Sequence, residues 1–263
     1  NIYHGDLVTM VDTLYPDLKT VAQTTNKVAL YIANGHGAWE AALSNTLNRG
    51  DKVLVITTGR FGAGWGEVAR SMGIETQILD FGMQNDADPQ KLEETLRADT
   101  QGEIKAVLTV HVDTASSVLN DVAALRGAID AAGHDALFMV DCIASLACDR
   151  FEMDAWGVDV MVAGCQKGLM TPAGMSFVYF NDRAESFRET ASPSFYWDWK
   201  PRSNSEMFYQ TFAGTAPTHH LYGLRTALDI LVHEEGMENV WARHDTIAHA
   251  VWAAVEGWGV DGA

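Results

Sequence analysis

The chain has 263 residues and a mass of 28.7 kDa, long enough that a compact fold would expose roughly 11,000 Å² of the about 42,000 Å² its unfolded form presents. Its 47% hydrophobic and 20% charged residues, with six scattered prolines, exclude disorder, collagen-like repeats and coiled coil. Eighteen Lys and Arg against 35 Asp and Glu leave a net charge of −17, which repels nucleic acid and anionic membranes.

Small molecules are therefore the expected ligands, and an anionic one would need backbone donors or local cations to hold it against that background. The longest apolar runs, 136–140 and 158–163, are too short for a bilayer span, and no basic-then-apolar leader opens the sequence, so no membrane partner and a soluble, cytoplasmic protein are expected. Cys142, Cys148 and Cys165 form an odd set without a C-x-x-C pair, so neither a disulfide framework nor a metal site is indicated. The sequence opens at Asn1 and stops at Gly259-Val-Asp-Gly-Ala263, right after a Trp-bearing helical pattern. A longer parent chain is expected on that ground.

In chain order, Asn34-Gly-His-Gly-Ala-Trp-Glu opens a helix over 38–47, its glycines leaving the first N–H groups open to an anion such as phosphate or serving as an ordinary cap. A strand over 53–57 leads into Gly59-Arg-Phe-Gly62-Ala-Gly64-Trp-Gly66, a helix over 66–71 and a strand over 76–79 before Asp80. That unit imitates a dinucleotide-binding βαβ, but the register fails: G-x-G-x-x-G from Gly62 meets Glu67, and from Gly64 meets Ala69. After a helix over 89–96, the strand over 106–110 is followed by His111-Val-Asp-Thr-Ala-Ser-Ser117, where His111 lacks a second ligand at metal spacing.

A helix over 123–132 precedes the strand 137–140, which ends in Asp141, either a functional carboxylate or a cap. The strand 158–163 runs into Gly164-Cys-Gln-Lys167-Gly, so the two strand ends would present an anion and an amine to one crevice. Partial desolvation there would disfavour the charged form of Lys167 and let the amine attack a carbonyl. A strand over 176–180 and a helix over 221–233 complete the alternation, which predicts a mainly parallel sheet, its strands buried on both faces by helices, with ligands outside the strands' carboxyl ends. The tail 238–257 places Trp241, His244, Ile247, Ala248, Val251, Trp252 and Val255 on one helical stripe, expected to pack on the core or another domain.

Asp141-Cys-Ile-Ala-Ser145 and Gly164-Cys-Gln-Lys167-Gly-Leu-Met-Thr-Pro-Ala-Gly174 together resemble class V pyridoxal-phosphate aminotransferases, within them the alanine/serine/aspartate–glyoxylate group. The likeness continues through Gly35-His36-Gly37, Gly59-Arg-Phe61, His111-Val-Asp-Thr114, Ser194-Phe-Tyr196, Thr215-Ala-Pro217 and Leu221-Tyr-Gly-Leu-Arg225. It implies an α/β fold of the pyridoxal-phosphate transferase fold type I, with a large domain over 1–235 and only the start of the C-terminal small domain over 236–263. It also implies a homodimer with shared active sites, transferring the amino group of a small amino acid to glyoxylate or a related 2-oxo acid.

Position by position, the resemblance makes Lys167 the lysine that forms an aldimine with pyridoxal 5′-phosphate and Asp141 the partner of the pyridine nitrogen. A carboxylate about 4 Å from that cationic ring gains about 4 kcal/mol at an effective dielectric of 20, enough to keep the ring protonated at neutral pH. Gly35 and His36 become the phosphate cradle and Phe61 the ring stacked on the pyridine. Thr114 and Gln166 become hydrogen-bonding contacts, Ile143 a cofactor-binding neighbour, and Thr215 a contact from the adjacent subunit. Two departures stand out: Ser116-Ser117 where the family commonly has a further glycine, and Phe212 where a tyrosine is expected. The family's carboxylate-binding arginine belongs to the small domain, beyond these residues. Alternatives are a desulfurase or lyase of the same fold, disfavoured by Gln166 before the lysine where a histidine is expected, an NAD-binding oxidoreductase built on 59–66 and Asp80, and a non-catalytic sheet domain.

Overall fold

A computed structural model describes residues 4–259, so the end of the 236–263 segment, from Val260 onward, lies outside the described residues. Helix α1 (Asp6–Val21) leads into strand β1 (Lys27–Tyr31), α2 (Gly35–Thr46), β2 (Lys52–Thr57), α3 (Arg60–Ser71), β3 (Glu75–Asp80), α4 (Pro89–Ala98) and β4 (Ile104–Val110). A two-residue hairpin, β5 (Val112–Asp113) and β6 (Val118–Leu119), precedes α5 (Val122–Ala132), β7 (Leu137–Asp141), β8 (Val160–Gly164) and β9 (Ser176–Phe180). Then come α6 (Asp182–Arg188), α7 (Lys200–Ser203), a 3₁₀ turn Phe208–Phe212, α8 (Thr218–Leu228) running into a π-helical turn Asp229–Glu235, and α9 (Met237–Gly257). Polar residues set several of these starts: Asn34, Asp88, Asp121 and Asn181 each accept a hydrogen bond from an N–H of the helix they open.

Seven strands form one sheet in the order β1-β9-β8-β7-β4-β2-β3. The pairs β2–β3, β2–β4, β4–β7 and β7–β8 are parallel, whereas β9 runs antiparallel to both β8 and β1. The carboxyl ends of β1, β2, β4, β7 and β8 therefore meet at one edge, as the alternating pattern predicts. Both faces are covered, and consecutive strand residues choose opposite sides. Leu54, Val107, Phe138, Met161 and Phe177 pack in one cluster with α1, α4, α5 and α8, while Val53, Val55, Ala106, Leu137, Val160 and Val178 pack in the other with α2 and α3.

The architecture differs from the sequence reading at particular elements. Strand β1 and helix α1 were not among the elements expected; β1 is a five-residue strand whose partner, β9, lies some 150 residues away in the chain. Helix α3 begins six residues before the expected start at 66, because the Asp113 carboxylate accepts from the N–H groups of Phe61 (2.8 Å) and Gly62 (3.1 Å) and offsets the poor helix propensity of the glycines. Strand β3 is one of the two sheet edges and is half exposed rather than covered on both faces. In α9 only the first turn joins the core, through Met237, Val240 and Trp241 with Arg150 over the indole. Core packing of the whole stripe does not hold, since Ile247, Val251 and Trp252 are each more than half exposed.

The Ser116-Ser117 departure has a conformational counterpart. The β5–β6 connection closes when Ser117 N–H donates to the Asp113 carbonyl at 2.8 Å, with Ser117 at φ 62° in the left-handed region that favours glycine. Replacing the exposed side chain, Ser117→Gly, is expected to raise stability by about 1 kcal/mol, read as a higher urea midpoint at unchanged slope.

Candidate active site

At the edge where the parallel strands end, a cavity of about 250 Å³ is lined by Gly35, His36, Phe61, Thr114, Asp141, Ile143, Gln166 and Lys167. These are eight of the nine residues singled out in the sequence, delivered by the segments after β1, β2, β4, β7 and β8. Thr215 does not join them; it is exposed in the connection before α8. Phe212, where a tyrosine was expected, is buried in the core with its ring edge-on to Phe208. Trp39 and Asn34 also line the cavity, and the sequence reading gave neither a role. A signal for Trp39 was available: it stands one helical turn beyond the glycine-bearing start of α2.

Asp141 ends β7 with its side chain buried. One carboxylate oxygen accepts from the Ile143 backbone N–H at 2.7 Å, the other from the Trp39 indole N–H at 2.7 Å. The alternative of a capping carboxylate is thus partly realised, since one oxygen closes the turn at Ile143. Burial, with a smaller contribution from the negative charge of Asp113, pushes the acid up to about 7 against the pull of those two donors. A buried anion with two donors and an acidic neighbour is a site for a cation entering the cavity.

The two helix N-termini at this edge differ. At α2 the Asn34 side chain accepts from Gly37, while the N–H groups of Gly35 and His36 take no acceptor from the described residues. At α3 the corresponding position is closed by the Asp113 carboxylate, and a Cβ at Gly59 would come within 2.3 Å of Asp113 Cγ. A dinucleotide pyrophosphate would need the α3 terminus. With a carboxylate already seated there, the oxidoreductase alternative built on 59–66 loses its anion site, and α2 is left as the open cradle.

Lys167 and Gln166 follow β8 on a turn whose path requires glycine. A Cβ at Gly168 would lie 2.3 Å from the Leu146 carbonyl oxygen, so the backbone after Lys167 rests directly on the segment after Asp141. Lys167 itself is exposed, so the partial desolvation expected for it is absent from the chain alone. Gln166 Oε1 is buried without a partner among the described residues, an unmet acceptor at the cavity. His111, lying behind the site, bonds Ser145 Oγ at 2.9 Å and is packed against the Phe151 and Trp156 rings. Burial lowers it to about 4, so it is neutral and structural.

The raised Asp141 acid has a thermodynamic consequence. Its folded-state value lies above that of the unfolded chain, so its favourable contribution is fully present below about pH 4 and is lost as pH rises through about 7. His111, depressed by burial, acts in the opposite sense over part of that range. Comparing Asp141→Asn with the parent isolates the first effect: the ligand-free parent should lose up to about 4 kcal/mol between pH 4 and pH 8 relative to the variant, measured by denaturant unfolding across pH.

The model of the family described as Aminotransferase class-V matches residues 17–258. The chain is 41% identical to a serine–glyoxylate aminotransferase of Methylorubrum extorquens, over 97% of this chain and 65% of that protein. It is 38% identical to an L-aspartate–glyoxylate aminotransferase of Paracoccus denitrificans, over 94% of this chain and 63% of that protein. Among solved structures, the alanine–glyoxylate aminotransferase of Nostoc sp. superposes with a TM-score of 0.86 at 26% identity, covering 95% of this chain and 66% of that one. The chain thus spans just under two thirds of the length of the proteins it matches. A mainly parallel sheet carrying an amine, a buried carboxylate and an open helix terminus at one edge agrees with that match, and the chain belongs to the class V aminotransferase family.

Proposed function

We propose that this chain forms the cofactor-binding part of an aminotransferase that moves the amino group of a small amino acid, of the alanine, serine or aspartate type, to glyoxylate or a related 2-oxo acid. The observation that carries this reading is the single cavity in which Asp141, Lys167, Gln166 and the open start of α2 converge. Pyridoxal 5′-phosphate fits these residues. The buried Asp141 carboxylate calls for a cationic partner, Gln166 Oε1 for a donor, and the Gly35 and His36 N–H groups for an anion.

When bound, the cofactor would supply an electron sink for the bond made and broken at the substrate's α-carbon. Asp141 would hold the proton on the ring nitrogen, and Phe61, half-buried at the cavity wall, would pack on the ring face. Thr114 and Gln166 would fix the ring's polar substituents, while Gly35 and His36 would hold the phosphate through their main-chain N–H groups. Lys167 would hold the cofactor covalently and, once released, carry a proton to and from the substrate α-carbon. Ile143 bounds the cavity between Asp141 and α2, where a Cβ on Gly35 would come 2.2 Å from its Cδ1.

The assembly is proposed to be a homodimer in which Thr215 reaches the neighbouring copy's phosphate, and its compartment is proposed to be the cytoplasm. No described helix is long and apolar enough to cross a membrane. The division into 1–235 and 236–263 is supported by Gly236, whose φ of 80° breaks the helical path between the π-helical turn and α9. The desulfurase alternative finds no support in the thiols: burial raises Cys142, Cys148 and Cys165 alike, which keeps them protonated and poor nucleophiles.

Three outcomes test the reading on the full-length protein. Borohydride treatment of the yellow holoprotein should bleach its visible band and add the cofactor's mass at Lys167; mass at another residue refutes the assignment. Lys167→Ala should lower turnover by about a thousandfold or more while retaining part of the cofactor affinity through the α2 cradle. Asp141→Asn should keep the covalent link yet lose on the order of a hundredfold in rate, since an amide cannot hold the ring cation. A panel of amino donors against glyoxylate and pyruvate then decides the substrate pair.

A further inference from the structure

Indole Trp39 is buried within the second turn of α2, stacked on Trp65 at 6.0 Å and 15°, with the His36 ring 4.4 Å away and the Phe61 ring edge-on at 6.4 Å. Those contacts leave the ring little freedom, and its N–H meets Asp141 Oδ2 at 2.7 Å. We propose that Trp39 is the positioning residue of this site: its indole N–H fixes the rotation of the Asp141 carboxylate and favours the anion that faces the cavity. This inference rests on the reading that the cavity takes pyridoxal 5′-phosphate.

Packing alone does not account for the contact. The N–H groups of three other buried or nearly buried indoles, Trp65, Trp199 and Trp241, have no partner among the described residues, so this fold tolerates indoles without one there. Trp39 is the one whose N–H is spent on the carboxylate of the cavity. A carboxylate offers about four lone-pair directions. With one oxygen held by Ile143 N–H and the other by Trp39, the carboxylate plane is set, and a lone pair on each oxygen remains. An indole N–H is a donor only, so it bonds the anion more strongly than the neutral acid, whose remaining acceptor carries no charge.

The location on α2 adds a mechanical consequence. Gly35 and His36 present the open N–H groups at the start of this helix, and Trp39 follows about one turn later, roughly 6 Å along the axis. One rigid element therefore sets both the anion-binding end of the cavity and the orientation of its carboxylate. The charged and titratable groups around Asp141 are Asp113 from the β5 strand, His111 behind β7, Cys142 next in the chain, and His36 and Lys167 across the cavity.

The decisive variant is Trp39→Phe, which keeps an aromatic ring in the stack and removes only the N–H, with Trp65→Phe as a control for packing. In the ligand-free protein, the midpoint of the pH-dependent stability loss assigned to Asp141 should move up by about one pH unit in Trp39→Phe and stay in place in Trp65→Phe. The dissociation constant for pyridoxal 5′-phosphate should rise about tenfold or more in Trp39→Phe. Binding of inorganic phosphate, which uses only the start of α2, should be unchanged. Parental values of midpoint and affinity in Trp39→Phe would overturn the proposal, and so would equal shifts in both variants, which would mark the effect as packing. A parent protein that binds no pyridoxal 5′-phosphate would instead overturn the function reading and this inference with it. If Trp39→Phe does not fold, Trp39→His, which retains a ring N–H donor, replaces it and should hold the midpoint within about a few tenths of a pH unit of the parent; a midpoint displaced upward by about a full pH unit would refute the role of the N–H.

Discussion

A carboxylate buried at the end of a central strand costs free energy unless donors and a cation meet it, and the arrangement at Asp141 supplies the donors but leaves the cation to come from the cavity. Much of the local structure follows from that unmet need. The α2 helix lies close enough for Trp39 to reach one oxygen, and glycine at position 35 lets the Ile143 side chain lie against the helix start, since a Cβ there would make that side chain move. The turn after β8 comes down onto the Leu146 carbonyl through Gly168, which brings Gln166 and Lys167 to the same cavity.

Two helix termini at the same sheet edge differ in what meets them. Both α2 and α3 begin in glycine-bearing loops just after a strand, and by pattern each could receive a phosphate. Asp113 distinguishes them by placing a carboxylate on the first N–H groups of α3, which anchors Phe61 at the cavity wall and denies that terminus to an anion. The α2 terminus keeps its first donors open. In a chain with a net charge of −17, such main-chain donors are a direct means of holding a phosphate.

Much of the sheet was legible from hydrophobic runs, because a strand covered on both faces leaves a continuous apolar signature; 176–180 and 137–140 fall within one residue of β9 and β7. Strand β1 left a weaker trace, and its place beside β9 is set by pairing across most of the chain. The start of α3 was hidden for a similar reason: its cap comes from Asp113 of β5, some fifty residues away, while its own glycines argue against a helix. In α9 the stripe was legible but its cover was not, since helical periodicity reports an apolar face and not what packs on it.

By itself, the sequence determined the sheet-and-helix alternation, the chemical kinds of group at each strand end, and the family likeness that joins them, because those are properties of local pattern and residue type. Only the tertiary structure decided which groups meet. It brought eight of those residues to one cavity and left Thr215 outside; it gave Asp141 its indole partner and, by burial, made it a weaker acid. It also closed one helix terminus and left the other open. The physical reason is that burial, hydrogen-bond partnership and steric approach are set by residues distant in the chain, and a one-dimensional pattern does not encode the distance between them.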